Sequence, residues 1–280
     1  MSIIKRFLIY NYRSKIFHWG KKMLKGKVIV VTGGAGKLGK SACQAIIQNG
    51  GIAIIADLSK ELGEKAQQEI DQTKNSSYVV VMDIVSKQSI LQAIEEIHKR
   101  YGKIDALVNN AYPYTKNWGK NNFYNFDFED FCENMKLQLG GYVLTSQLFT
   151  LYFKNQGFGN IISMSSIFGV YAPKFENYKG TDMDAVVDYS IIKAGINHMT
   201  RWMAKYLANT GIRVNAIAPG GIYNYQNPQP QSFLEKYRKC CTSKGMLDSE
   251  DINGTLLYLL SDMSKYVNGQ VIVVDDGWGL

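Results

Sequence analysis

Histidine and cysteine are scarce in this chain of 280 residues, with three of the first and four of the second. Cys43, Cys132, Cys240 and Cys241 have neither the spacing of a metal-ligand set nor that of a disulfide framework. No resident metal is expected, and a reducing, cytoplasmic location suits such thiols. No apolar run is long enough to span a bilayer. The middle of the chain has no Pro/Gly/Ser tract, no block of like charge and no internal repeat, so nothing divides it. With 46% hydrophobic and 20% charged residues, the composition is that of one globular domain with a large core.

Acidic residues are missing from the first 22 positions, which carry Lys5, Arg6, Arg13, Lys15, Lys21 and Lys22. Those six account for all but two units of the formal net charge of +8. The near-neutral remainder argues against a nucleic-acid surface. The extension is too charged and too interrupted for a secretory signal. Ile4, Leu8, Tyr12 and Ile16 recur every fourth residue, the pattern of an amphipathic helix. An arm on the core or on another subunit is the favoured reading, and contact with a membrane surface is the other. The chain is therefore read as a basic extension over 1–24 and a single domain over 25–280.

Within that domain, "KVIVV", "IAIIA", "YVVVM", "IDALVN", "NIISM", "RVNAIA" and "VIVV" are short, rich in β-branched residues and mostly unalternating. Strands buried on both faces have this character. Helical periods lie between them, such as Ser86–Tyr101 with the stripe Ile90, Leu91, Ile94, Ile97 and Tyr101. Alternation of this kind predicts an α/β fold: a doubly wound, parallel, seven-stranded sheet with helices on both faces.

The stretch "VTGGAGKLGK", Val31–Lys40, follows the first strand and opens a helix. Glycines there let backbone approach a pyrophosphate, and a helix N-terminus favours the anion. Asp57 ends the second strand 18 residues beyond Gly39, where a carboxylate accepts hydrogen bonds from the ribose hydroxyls of NAD. Lys37 and Lys60 pull the other way, towards a 2′-phosphate. NAD is the expected cofactor and NADP the alternative.

Further on, "YSIIK" puts Tyr189 and Lys193 four apart on one helical face. A phenol titrates near 10, so a tyrosine base working at neutrality needs a shift of roughly three units, about 4 kcal/mol. A neighbouring ammonium supplies that sign of shift.

In order, the chain reads "KGKVIVVTGGAGKLG", "DI" at Asp83–Ile84, "NNA" at Asn109–Ala111, "SS" at Ser165–Ser166, "YSIIK", "NAIAPGG" at Asn215–Gly221 and "NGQVIVVDDG". This set strongly resembles the short-chain dehydrogenase/reductase family over Lys25–Leu280. The resemblance implies a Rossmann fold, a nicotinamide cofactor and hydride transfer at a carbonyl/alcohol pair. It implies that Ser166 orients the substrate oxygen, Tyr189 is the acid/base, and Lys193 binds ribose and tunes the tyrosine. The cofactor contacts it implies are Gly33, Gly36, Lys37, Leu38, Gly39, Asp57, Asp83, Ile84, Asn110, Ala111, Pro219, Gly220 and Ile222, with Tyr189 and Lys193. A homodimer or homotetramer is expected.

Four features depart from the family pattern. The loop reads TGxxGxxG rather than TGxxxGxG, with Lys37 on the penultimate glycine site. Tyr112 follows "NNA" where glycine is usual. Gln138 occupies the site of a supporting Asn; it is read as filling that role, with Asn134 one turn earlier as the competitor and Asn134→Ala expected to matter little. The gap from Ser166 to Tyr189 is 23 residues, longer than usual. Together these are similar to bacterial oxidoreductases associated with flagellin glycosylation and surface-polysaccharide sugars. The inserted segment and "YNYQNPQPQSF" are rich in tyrosine and amides, which suit a polyhydroxylated ligand, and Lys174 or Lys179 could meet a phosphate. Three functions stay open: a dehydrogenase or reductase of a sugar or sugar phosphate, which is favoured; a sugar-nucleotide epimerase or dehydratase with retained NAD; and a weakly catalytic nucleotide-binding partner protein.

Overall fold

The computed structural model describes residues 22–119 and 123–280. The expectations for the amphipathic helix of the extension and its partners fall on 1–21 and lie outside the described residues, while Leu24, the last residue given to the extension over 1–24, is fully buried in the core.

Seven parallel strands form one sheet: β1 (Val28–Thr32), β2 (Ile52–Asp57), β3 (Ser77–Val81), β4 (Ala106–Asn109), β5 (Gly159–Met164), β6 (Ile212–Pro219) and β7 (Val271–Val274). Their spatial order is β3-β2-β1-β4-β5-β6-β7. The chain winds outward from β1 in one direction, returns, and continues from β4 in the other. Ligands of such sheets bind where that reversal opens a crevice at the carboxyl ends of the strands.

The helices are α1 (Lys37–Gln48), α2 (Lys60–Ile70), α3 (Lys87–Tyr101), α4 (Phe128–Met135), α5 (Gly141–Gln156), α6 (Val187–Tyr206), α7 (Gln231–Lys239) and α8 (Asn253–Leu260). They cover the two faces of the sheet, giving two large apolar cores. One gathers Ile54, Ile90, Ile97, Leu107, Phe149, Ile161 and Ile192. The other gathers Leu24, Ile29, Ile46, Ile55, Val108, Ile162 and Leu256. All five residues of β1 are buried, which is why its sequence is apolar without alternation.

Local signals match these elements. The Ser86 hydroxyl caps α3 by accepting from Ser89 N, and Gly102 ends the helix in the left-handed region. Of the expected α3 stripe, Leu91 is the exception: it is largely exposed, at the edge of the buried face. Between α4 and α5 the helix does not break but widens into one π turn, Lys136–Gly140.

Candidate active site

The loop after β1 is held in place by side chains at the ends of β1 and β4. The Thr32 hydroxyl accepts from Asn110 N (2.9 Å) and Ala111 N (3.0 Å), tying β1 to the end of β4. Asn110 Nδ2 donates to the carbonyls of Thr32 (3.0 Å) and Gly33 (3.2 Å). Gly33 has φ +59°, and a Cβ there would lie 2.8 Å from Ala111 Cα, so the position demands glycine. Gly36 caps α1 with no side-chain bond to the helix amides.

Gly33, Gly36, Lys37 and Leu38 line a cleft of about 970 Å³, together with Asp57, Asp83, Ile84, Asn110, Ala111, Ser166, Tyr189, Lys193, Pro219, Gly220 and Ile222. Two expected site residues are not in that wall. A Cβ on Gly39 would lie 2.1 Å from the Gly33 carbonyl oxygen, so this glycine lets α1 pack against the loop rather than touch a ligand. Gln138 lies behind the wall, almost fully buried.

Asp57 accepts from Ala35 N at 3.1 Å, which aims its carboxylate back at the loop. The Lys60 side chain is mostly exposed, lies 3.8 Å from Glu64 and takes no part in the wall.

Two segments bring the acid–base residues together. β5 ends at Met164; Ser165 then donates from N to Ile217 O (2.7 Å) and from Oγ to Lys193 O (3.1 Å), pinning the strand end to β6 and α6. The turn that follows presses on α6 so closely that a Cβ on Gly169 would lie 2.5 Å from Lys193 C. Ser166 is thereby brought to the same cleft wall as Tyr189. Lys193 is buried, and its Nζ donates to Met164 O at 2.9 Å. The ammonium also stands 5.5 Å from the ring centroids of Tyr112 and Tyr189 and 5.7 Å from that of Tyr142, within cation–π range.

Burial dominates the electrostatics. It raises the Tyr189 phenol above its usual value, and the Ser166 hydroxyl beside it pulls it only partly back. It pulls the Lys193 ammonium down to about 7. The expectation that Lys193 lowers Tyr189 is therefore corrected: the lysine turns to a backbone carbonyl, and loss of water outweighs its charge.

The rim of the site is aromatic. Tyr112 meets Tyr189 edge-on at 5.9 Å, Trp118 meets it at 6.2 Å, and Phe168 at 6.3 Å. Tyr112 and Trp118 also pack edge-on, with ring centroids 5.6 Å apart. Sequence reasoning singled out Tyr112 but not Trp118, Phe168 or Tyr142, because no spacing links them to the motifs. Only Phe168, two residues past Ser166, carried a positional hint.

The π turn decides between the two amides of the α4–α5 helix. Asn134 is fully buried and committed: its Oδ1 accepts from Thr115 N (3.0 Å), and its Nδ2 donates to Asp188 (3.1 Å) and Asp130 (3.2 Å). It holds the Tyr112–Trp118 loop to the start of α6, which gives Asn134 a part in stability beside the expectation that Asn134→Ala does little to kcat or KM. Both amide atoms of Gln138 are buried with no hydrogen-bond partner. The lysines of the inserted segment are also engaged elsewhere: Lys174 Nζ donates to Trp278 O (2.8 Å), and Lys179 pairs with Glu176 (2.6 Å). Among the described residues, no cluster of His, Cys, Asp or Glu could hold a metal ion.

A glycine loop and an acidic strand end at one side of a cleft, with Ser, Tyr and Lys at the other, define a nucleotide-dependent oxidoreductase site on a doubly wound sheet. The chain belongs to the short-chain dehydrogenase/reductase family; the family model described as enoyl-(acyl carrier protein) reductase matches residues 33–279. It is 52% identical over 259 residues to the post-translational flagellin modification protein A of Campylobacter coli, covering 92% of this chain and 100% of that one. It is 32% identical over 258 residues to a 3-oxoacyl-acyl-carrier-protein reductase of Thermotoga maritima, covering 91% and 98%. A short-chain dehydrogenase of Leptospira borgpetersenii with bound NAD+ superposes with TM-score 0.81 at 27% identity, covering 95% and 97%.

Proposed function

We propose that this protein transfers hydride between NAD, with NADP as the alternative, and a carbonyl/alcohol pair on a neutral, polyhydroxylated ring of the sugar type. The observation that carries the reading is the convergence of Ser166, Tyr189 and Lys193 on the same cleft as the glycine loop and Asp57. The cradle fits a dinucleotide: a Cβ-free loop at Gly33, an uncapped α1 N-terminus and a carboxylate at the end of β2. Asp83, Ile84, Asn110, Ala111, Pro219, Gly220 and Ile222 would line the rest. The bound nicotinamide supplies or accepts the hydride. The Leptospira enzyme with NAD+ and a Burkholderia cenocepacia gluconate 5-dehydrogenase with NADP support both cofactor options.

On this reading Tyr189 moves the proton. Its raised pKa keeps the phenol protonated at neutral pH, which is the form a carbonyl reduction consumes. Ser166 orients the substrate oxygen beside that hydroxyl. Lys193 would hold the nicotinamide ribose, and Gln138 supplies an amide behind it.

Apart from Lys37 and Lys193, the described wall holds no lysine or arginine, and its substrate end offers Tyr112, Phe168, Tyr178, Phe233, Tyr237 and Gln229. Aromatic faces and an amide suit an uncharged sugar better than a phosphate. The flagellin-modification relative supports a sugar substrate. Exposed Val143, Leu151, Trp202 and Tyr206 on α5 and α6 support a homodimer or homotetramer. No described helix is long and apolar enough to cross a membrane.

The test is turnover with NAD and NADP against hexoses, hexose phosphates and nucleotide sugars, for wild type and Tyr189→Phe. Net change in nicotinamide absorbance is expected, with kcat of Tyr189→Phe lower by about 10²–10⁴ and dinucleotide affinity kept. Product without net absorbance change would instead identify the epimerase or dehydratase reading, and near-normal kcat in Tyr189→Phe would remove that residue from the mechanism.

A further inference from the structure

Lys37 stands where the family's loop pattern carries a glycine, and its side chain has a direction. From the first turn of α1 the ammonium crosses the cleft and donates to the carbonyl oxygen of Tyr223, on the segment that follows β6. It comes within 6.0 Å of the Tyr225 ring centroid; partial burial lowers its pKa, and the nearby carboxylates of Asp248 and Glu250 offset only part of that. The receiving segment is anchored: Tyr223 N donates to Leu247 O (2.8 Å), Leu247 N to Gly221 O (2.8 Å), and Tyr225 Oη to Asp248 (2.7 Å).

The sheet order makes that direction informative. Asp57 ends β2, on one side of β1, whereas Tyr223 follows β6, three strands away on the other side. The Lys37 ammonium therefore reaches away from the ribose carboxylate and across the α1 N-terminus. Lys60, the other basic candidate for a 2′-phosphate, is mostly exposed and outside the wall.

We propose that Lys37 is a clasp for the diphosphate common to NAD and NADP, linking the phosphate loop to the Ile222–Gln229 segment over the cofactor. The inference rests on the dinucleotide reading above and assigns Lys37 no part in choosing between the two cofactors. A glycine at this position leaves diphosphate binding to backbone amides alone. The lysine adds a mobile positive charge whose carbonyl contact at Tyr223 can be exchanged for a phosphate oxygen.

The experiment is calorimetric binding of NAD, NADP, ADP-ribose and adenosine to the full chain and to Lys37→Gln and Lys37→Arg. Lys37 is exposed at the surface, so neither substitution disturbs the core. Lys37→Gln should raise Kd for NAD, NADP and ADP-ribose alike by about tenfold, the effect of one hydrogen bond to a charged group, and leave adenosine unchanged. Lys37→Arg should restore most of the loss. Hydrogen exchange supplies a second readout: NAD should slow exchange over 222–229 in the wild type and less so in Lys37→Gln. Loss confined to NADP would overturn the clasp in favour of 2′-phosphate recognition, and unchanged affinities would overturn it outright. A wild-type chain that binds no dinucleotide would instead sink the underlying functional reading.

Discussion

Replacing Lys193 by Met should flatten the stability of this protein against pH. The lysine is buried, and burial brings its pKa from 10.5 to about 7. Between those values the unfolded chain binds a proton that the folded chain releases, so stability must rise with pH across that window. Integrating the difference, holding this side chain buried costs about 4 kcal/mol at pH 7 and about 2 kcal/mol at pH 9. Methionine has nearly the same volume and no charge, so it removes the titration with little repacking. It also leaves Met164 O without its donor, but that loss does not depend on pH over this range. Urea unfolding at pH 7 and pH 9 isolates the effect. From pH 7 to pH 9 the wild type should gain about 2 kcal/mol more than Lys193→Met. Equal responses in the two proteins would refute the claim that the lysine sits in the fold with a depressed pKa. The same variant should lose turnover, so stability at neutral pH and activity part company at this residue.

Gln138→Ala should lower kcat with a smaller effect on KM and little change in melting temperature, because its amide makes no bond within the fold. Asn134→Ala should instead destabilise the protein by about 1–3 kcal/mol, since it strands buried partners at Thr115 and Asp188, and steady-state kinetics beside thermal melts will separate the two. Gly39→Ala should lose dinucleotide affinity and stability, with at least 1–3 kcal/mol expected from forcing a methyl onto backbone. The control is Gly254→Ala in α8, where nothing lies within 4 Å of the new methyl and a gain of roughly 0.5–1 kcal/mol is expected. A Gly39→Ala protein that melts and binds like the wild type would contradict the close approach.

Periodicity and punctuation were enough for the scaffold. Seven strands buried on both faces need continuous apolar runs, and parallel pairing needs helices between them. "KVIVV" and "YVVVM" were therefore readable one segment at a time, to within a residue of β1 and β3. The chemistry-bearing residues were legible for the same reason: Tyr189 and Lys193 are linked by helical spacing, and Gly33, Gly36 and Asp57 by the strand–turn–helix order. Whatever depended on contact between distant segments was not. Nothing local says that Asn134 reaches Thr115 and Asp188 or that Tyr142 stands beside Lys193. Nor does anything local say that Lys37 turns towards Tyr223 rather than Asp57. The balance of burial against charge at Lys193 and Tyr189 belongs to the same class, because desolvation is set by every segment packed around a group. Local order determined which residues could form the site, and the packing of β4, β5, β6 and α6 around them decided their partners, their directions and their protons.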